Sequence, residues 1–312
     1  MSGGSTPHWA QIGESTSVAG IAFLCGVHRW LGRWPFRVCL LPVVLCHWAF
    51  NRVGRRSSLA YLQQLQASTG ALGHAPGWRD TFRHFFRFAD TLLDKILGLG
   101  GQYPASSIDI DNRLMLAQIE QGRGGVLLTA HIGCLELCQS LAEQVPGFHV
   151  TILVHTAHAQ RFNAILRRLA PSASVELVQV TEVGPATAMQ LSQRVAAGGF
   201  VAIVGDRVPV SGSRVAWASF LGRRAPFPVG GYVLASALGC PVYTMSCLHE
   251  GDGYRVHFAH FSERLTLPRA TREEALAEQA QRFASWLEQQ VTQSPLDWFN
   301  FFPFWDQASD AK

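Results

Sequence analysis

Lysine is almost missing from this 312-residue chain: only Lys95 and Lys312 occur, so arginine supplies nearly all of the 26 basic residues. No Lys/Arg-rich run is present, which argues against nucleic acid as a partner. Arginine suits carboxylates, phosphates and anionic membrane surfaces instead. Charge of either sign is scarce, at 15% of residues against 48% hydrophobic, and mean hydropathy is +0.11. About 25% charged is usual for a soluble domain, so one apolar face is expected to turn toward something other than water.

Other absences narrow the field. Without G-x-G-x-x-G or G-x-x-x-x-G-K-[ST], a nucleotide enzyme is disfavoured; without G-x-S-x-G, so is a serine-elbow hydrolase. The seven cysteines include no C-x-x-C pair, and most lie in apolar runs, which reads as reduced, buried thiols in a reducing cytoplasm. His131 and Cys134, with Cys138, lack a fourth ligand, so no metal is expected, and no cofactor is called for. No basic stretch precedes the first apolar run, so no secretory signal is expected. Val18–Val27 and Val38–Phe50 are apolar for ten and thirteen residues, and neither alone reaches the roughly 20 that a helical span takes.

What those runs carry between them is informative. Up to Ala60 the chain holds Arg29, Arg33, Arg37, Arg52, Arg55 and Arg56 against Glu14 alone, with Trp30 and Trp34 interleaved. Tryptophan and arginine together suit the headgroup level of a bilayer, so residues 1–56 read as a helical, membrane-associated segment. An interfacial anchor is favoured; a tilted span from about Trp30 to Phe50 and an ordinary buried helical pair are the alternatives. Residues 57–107 read as a helical lead-in, because Leu59, Leu62 and Leu65, then Phe82, Phe85, Phe86, Ala89, Leu92 and Leu93, recur at helical spacing. From about Ile108 the pattern alternates. Strands are expected at Gly125–Ala130, Val150–Val154, Val175–Val180, Phe200–Val204, Pro241–Leu248 and Tyr254–Phe261. Helices are expected at Asn112–Gln121, Cys134–Gln144, Ala159–Leu169, Ala186–Ala197, Tyr232–Leu238 and Arg272 to about Gln293. This predicts an α/β core over 108–293 whose sheet is covered by helices on both faces, followed by an aromatic tail, 294–312.

The sharpest chemical feature is Thr129-Ala130-His131-Ile132-Gly133-Cys134-Leu135-Glu136, directly after an apolar strand. Chemistry in open α/β sheets gathers at the carboxyl ends of strands. With His131 in the turn and Glu136 in the first helical turns, the carboxylate can reach back to the imidazole and fix its tautomer, making a general base. Gly133 permits close approach of backbone or substrate. A histidine merely capping a strand, with a glutamate on a solvated face, is the bland alternative.

With its downstream blocks, this stretch resembles the lysophospholipid acyltransferase superfamily, specifically its bacterial lipid A biosynthesis (lauroyl/myristoyl-type) branch. His131-x4-Glu136 resembles the catalytic block. His158 to Arg168, with Arg161, Arg167 and Arg168, is similar to an arginine-bearing block that binds substrate phosphate. Gly205-Asp206-Arg207 resembles a third block, and Phe220 to Gly230, with Gly222, Phe227 and Pro228, a fourth. The tail around Trp298 is similar to the family's terminal motif but lacks a basic run after it. The resemblance implies a mixed central sheet flanked by helices, with 57–312 as the acyltransferase domain. It also implies His131 and Glu136 as the catalytic pair, and Arg161, Arg167, Arg168, Gly205, Asp206, Arg207, Gly222, Phe227 and Pro228 as substrate-binding residues. The implied partners are an acyl carrier protein or coenzyme A thioester as donor and a lipid or glycolipid acceptor, met at the cytoplasmic face of the inner membrane. Hydrolysis of a thioester or ester at the same pair, and lipid binding without catalysis, are the rival readings.

Overall fold

The computed structural model describes residues 18–111, 113–137, 149–154, 176–179, 185–208 and 214–307. The helices expected over Ala159–Leu169 and most of Cys134–Gln144 lie outside them.

Four helices come first: α1 (Val18–Leu31), α2 (Arg33–Phe50), α3 (Arg52–Thr69) and α4 (Trp78–Leu99). Their ends are set by local chemistry. Gly32 at φ +86° breaks α1 from α2, a conformation that costs glycine little. The Asn51 side chain accepts from the Gly54 N–H at 2.8 Å to start α3. The Asp80 carboxylate accepts from the Gly77 N–H at 2.9 Å to start α4. Between Phe50 and Arg52 the chain bends by 92°, and among the described residues no single helix is long and apolar enough to cross a membrane. The apolar N-terminal run itself is divided at Gly32 into α1 and α2.

Arg33 binds Asp94 at 2.6 Å and Asp90 at 2.9 Å, and Arg37 binds Asp90 at 2.9 Å, which ties α2 to α4. Phe36, Leu40 and Val44 bury their side of α2 against Phe85 and Leu93, while Trp30, Trp34, Leu41, Val43 and Phe50 remain exposed. Burial of the cysteines is only partial: Cys134, Cys240 and Cys247 are buried, whereas Cys46, on α2, is exposed.

The core is a mixed α/β unit. Its strands are β1 (Ile108–Asp111), β2 (Gly125–Thr129), β3 (Val150–Val154), β4 (Glu176–Gln179), β5 (Phe200–Val204), β8 (Val242–Glu250) and β9 (Gly253–Ser262), in the order β1-β9-β8-β2-β5-β3-β4. Every neighbouring pair is parallel except β8–β9. All five residues of β2 are buried, as expected of a central strand covered on both faces. The helices α5 (Arg113–Glu120), α6 (Pro185–Ala196), α7 (Gly230–Leu238) and α8 (Arg272–Gln293) complete the unit. The apolar stripe of α8, with Leu276, Ala280, Phe283, Leu287 and Val291, is buried in the main core.

Phe220 to Gly230, where no strand was expected, is largely strand. β6 (Val215–Phe220) pairs antiparallel with β7 (Arg223–Pro228) in a separate two-stranded sheet. Leu221 at φ +52° and Gly222 at φ +76° form the two-residue turn between them, the pattern of a tight hairpin. Proline at 226 and 228 disguises the strand in the sequence, because a proline cannot donate to a ladder and is at home only on edge strands.

Candidate active site

The site follows from strand register. β2 and β5 are adjacent and parallel, with Thr129 opposite Val204. His131 and Asp206 each come two residues after those paired ends, so the sheet delivers them side by side. The Gly205 N–H continues the ladder onto Thr129 O at 2.8 Å. Asp206 Oδ1 then lies 2.7 Å from His131 Nδ1, and Oδ2 accepts from the His131 backbone N–H at 3.1 Å. A third donor, Trp298 Nε1–H, reaches Oδ2 at 2.9 Å.

The C-terminal segment holds this loop from the other side. Phe299 N–H donates to His131 O at 2.9 Å and Gly133 N–H to Asp297 O at 2.8 Å. Trp298 is fully buried, edge-on to Tyr61 and Phe220. Its carbonyl accepts from His84 Nε2 at 2.9 Å, and His84 Nδ1 meets Ser58 Oγ at 2.8 Å. Asp297, one residue earlier, takes His249 Nδ1 at 2.8 Å. Gly133 is where the backbone approach is closest: at φ +61°, a Cβ would stand 1.8 Å from Cys247 O. The close approach there is to β8, in a bridge that the Cys134 N–H completes onto Cys247 O at 2.9 Å.

Glu136 sits elsewhere than the sequence suggests. Its Oε1 lies 2.9 Å from Lys95 Nζ of α4, and Asp206 occupies the imidazole nitrogen that Glu136 was expected to hold. The reason is positional: a residue just past the neighbouring parallel strand is better aimed at His131 than one reached through a turn of its own chain. A third of the His131 side chain is exposed. Its Nε2 has no protein partner among the described residues and is not a buried orphan, so it is open to a ligand.

Charges around the ring favour a neutral base. Burial lowers the His131 pKa, the Arg207 and Lys95 cations lower it further, and Asp206 opposes them. Burial works against ionised Asp206, but His131, Arg207 and the Trp298 N–H outweigh it and pull its pKa down to about 2. Burial would likewise discharge Lys95, yet Glu136 reverses the balance and its pKa is raised. A neutral imidazole with Nδ1–H fixed on a carboxylate and Nε2 open can accept a proton from a hydroxyl. Among the described residues no three His, Cys, Asp or Glu side chains converge as a metal cage would require.

The other expected residues divide. Arg207 lies beside the pair and donates to Phe299 O at 3.3 Å. Gly205 and Phe227 converge on packing: a Cβ on Gly205 would stand 3.0 Å from the Phe283 ring, and Phe227 is fully buried against Phe283 and Phe304. Pro228 is buried opposite Val215, and Gly222 is in the hairpin turn. Phe227, expected from the resemblance to bind substrate, is placed in the protein core. Arg161, Arg167 and Arg168 lie outside the described residues. Sequence reasoning missed Lys95 and Trp298 as site residues. The one signal for Lys95 was its solitude, as the only lysine before residue 312.

The bacterial lipid A biosynthesis acyltransferase family model matches residues 105–307, from just before β1 through Trp298 and the end of the tail's aromatic run. Comparison with the curated proteins gives no match.

Proposed function

The chain belongs to the bacterial lipid A biosynthesis acyltransferase family, and from that membership we propose that it transfers a fatty acyl group from a thioester to a lipid A-type acceptor with His131 as general base. The observation that carries the assignment is the 2.7 Å contact between His131 Nδ1 and Asp206, which leaves Nε2 open. In the proposed step the acceptor O–H gives its proton to Nε2 as its oxygen attacks the thioester carbonyl. Arg207, beside the pair, steadies the oxyanion. Collapse breaks the C–S bond, and the imidazolium returns its proton to the departing thiolate, so no covalent enzyme intermediate forms.

The donor is an acyl carrier protein or coenzyme A thioester, and the acceptor is met at the cytoplasmic face of the inner membrane. Support for the membrane comes from α1 and α2, where Phe23, Trp30, Leu31, Trp34 and Phe50 are each more than 60% exposed beside Arg29 and Arg37. Aromatic and arginine side chains together favour the headgroup layer.

Two measurements test the reading. Mass spectrometry of lipid extracts from cells with and without the gene should reveal an acceptor carrying one more acyl chain, and unchanged extracts would remove the assignment. Purified protein given each thioester in turn identifies the donor. For the membrane, a Trp30→Ser/Trp34→Ser protein should float with anionic vesicles less than wild type. Equal flotation would take those tryptophans off the membrane face.

A further inference from the structure

The backbone that carries His131 runs between two flanking segments. On one side Gly133 is bridged in parallel to Cys247 of β8, and the Cys134 N–H donates to Cys247 O at 2.9 Å. On the other, Ile132 is bridged antiparallel to Trp298 of the tail. There the Gly133 N–H donates to Asp297 O at 2.8 Å and the Phe299 N–H to His131 O at 2.9 Å. These bonds hold the segment to each flank, yet none of them joins one flank to the other. The Asp297 carboxylate does so. It accepts from the His249 backbone N–H at 2.7 Å and from His249 Nδ1–H at 2.8 Å. His249 stands two residues beyond Cys247 on β8, so a clamp closes over the end of the His131 segment.

The clamp is buried and its polar groups are directed. The Asp297 side chain is wholly enclosed and that of His249 is 9% exposed. Ser294 Oγ–H also donates to Asp297 at 2.8 Å, and Arg87 Nε stands 3.9 Å away. The His249 ring lies 4.0 Å, centroid to centroid, from Tyr254, its cross-strand partner on β9, whose O–H is fixed on Asp94 at 2.7 Å. Among the described residues His249 Nε2 is buried without a hydrogen-bond partner. Leaving a buried ring nitrogen unpaired is costly, so the contact at Nδ1 carries the ring's polar role.

We propose that His249 is a positioning residue for acyl transfer: by holding Asp297 against the end of β8, it fixes the segment that presents His131 to the substrates. This rests on the reading of His131 as the base. The path is short. Asp297 is one hydrogen bond from Gly133, and the next residue, Trp298, is one hydrogen bond from Asp206. A shift of Asp297 therefore moves the His131 backbone and the donor on Asp206 together, and a displacement of about 1 Å in such a site is enough to cost a large part of the rate.

The test compares His249→Leu, His249→Gln and His249→Asn in the full-length enzyme in detergent, reading kcat and KM for transfer from a lauroyl thioester to a lipid A-type acceptor. All three lose the ring contact with Tyr254, so a role in packing alone would affect them alike. Asparagine places an N–H near the position of Nδ1, glutamine places it one bond farther out, and leucine has none. His249→Leu should lower kcat about tenfold or more with KM within about twofold, and His249→Asn should stay within about threefold of wild type, with His249→Gln between them. Hydrogen exchange at the Gly133 and Phe299 amides should quicken about tenfold or more in His249→Leu and stay near wild type in His249→Asn. Equal kcat in the leucine and asparagine variants, a loss confined to KM, or unchanged exchange at those amides in His249→Leu overturns the proposal. If His249→Leu does not fold, the comparison of His249→Gln with His249→Asn decides alone. A folded His131→Ala enzyme with near-native transfer would signal instead that the base assignment had failed, while exchange at Gly133 and Phe299 would still report on the clamp.

Discussion

Acidification should loosen this protein through His84 before its carboxylates titrate. The ring is wholly buried, with Nε2–H on Trp298 O and Nδ1 accepting from Ser58. Burial, the dominant influence, lowers its pKa from 6.5 to about 4, although the Trp298 carbonyl and Asp297 pull the other way. The sign follows from linkage. A basic group with a depressed folded pKa binds its proton more readily when unfolded, so its contribution is intact above 6.5 and is lost as pH falls toward 4. Between pH 7.5 and pH 5 those values imply a loss of about 2 kcal/mol. The assay is denaturant unfolding at the two pH values for wild type and His84→Gln, taking the difference so that the other histidines cancel. Wild type should lose about 2 kcal/mol more than the variant over this interval. Parallel losses would take His84 out of the acid response. Because the same ring holds the carbonyl of Trp298, whose indole holds Asp206, mild acid should also disorder the active site.

Trp298→Phe keeps an aromatic ring but removes the N–H on Asp206 Oδ2. It should cost about 1.5–3 kcal/mol, the range for a bond to a charged group, and move the acid limb of kcat/KM upward as the freed carboxylate pulls harder on the His131 proton. A lower melting temperature with an unmoved limb would leave the indole a packing group only. Gly133→Ala places a methyl where Cys247 O already stands, at positive φ, so it should destabilise by about 3 kcal/mol or more. Near-native unfolding would show that the bridge yields. The lowered His131 pKa puts the acid limb of kcat/KM below pH 6.5, because the base works only when neutral; a limb above that value would mean that Asp206 outweighs burial and the nearby cations.

Much of the fold was legible because it is written in local periodicity. β3 and β5 begin and end where their apolar runs do, and α8 ends at Gln293 as expected. The β6–β7 hairpin was hidden because Pro226 and Pro228 spoil the strand signal. The site was half legible. His131 announces itself by following an apolar strand, but its partner depends on sheet order, and nothing local says that β2 lies beside β5. Asp206 was noticed for its block and assigned to substrate, whereas Glu136, only five residues from His131, looked like the natural partner. Trp298, 167 residues from His131, carries no sequence sign of reaching Asp206. Lys95 lies in a helical lead-in where a lone charge reads as solvated surface.

Asp206, not Glu136, holds the imidazole proposed as the general base. Single-turnover acyl transfer by a folded Asp206→Asn enzyme tests it most directly. An asparagine of nearly the same shape can keep the ring in place but neither enforces the tautomer nor balances the imidazolium. The transfer rate should fall about 10²–10⁴-fold, the scale of general-base assistance, with the melting transition still cooperative. A folded Asp206→Asn enzyme that transfers acyl groups within a few-fold of wild type would contradict it.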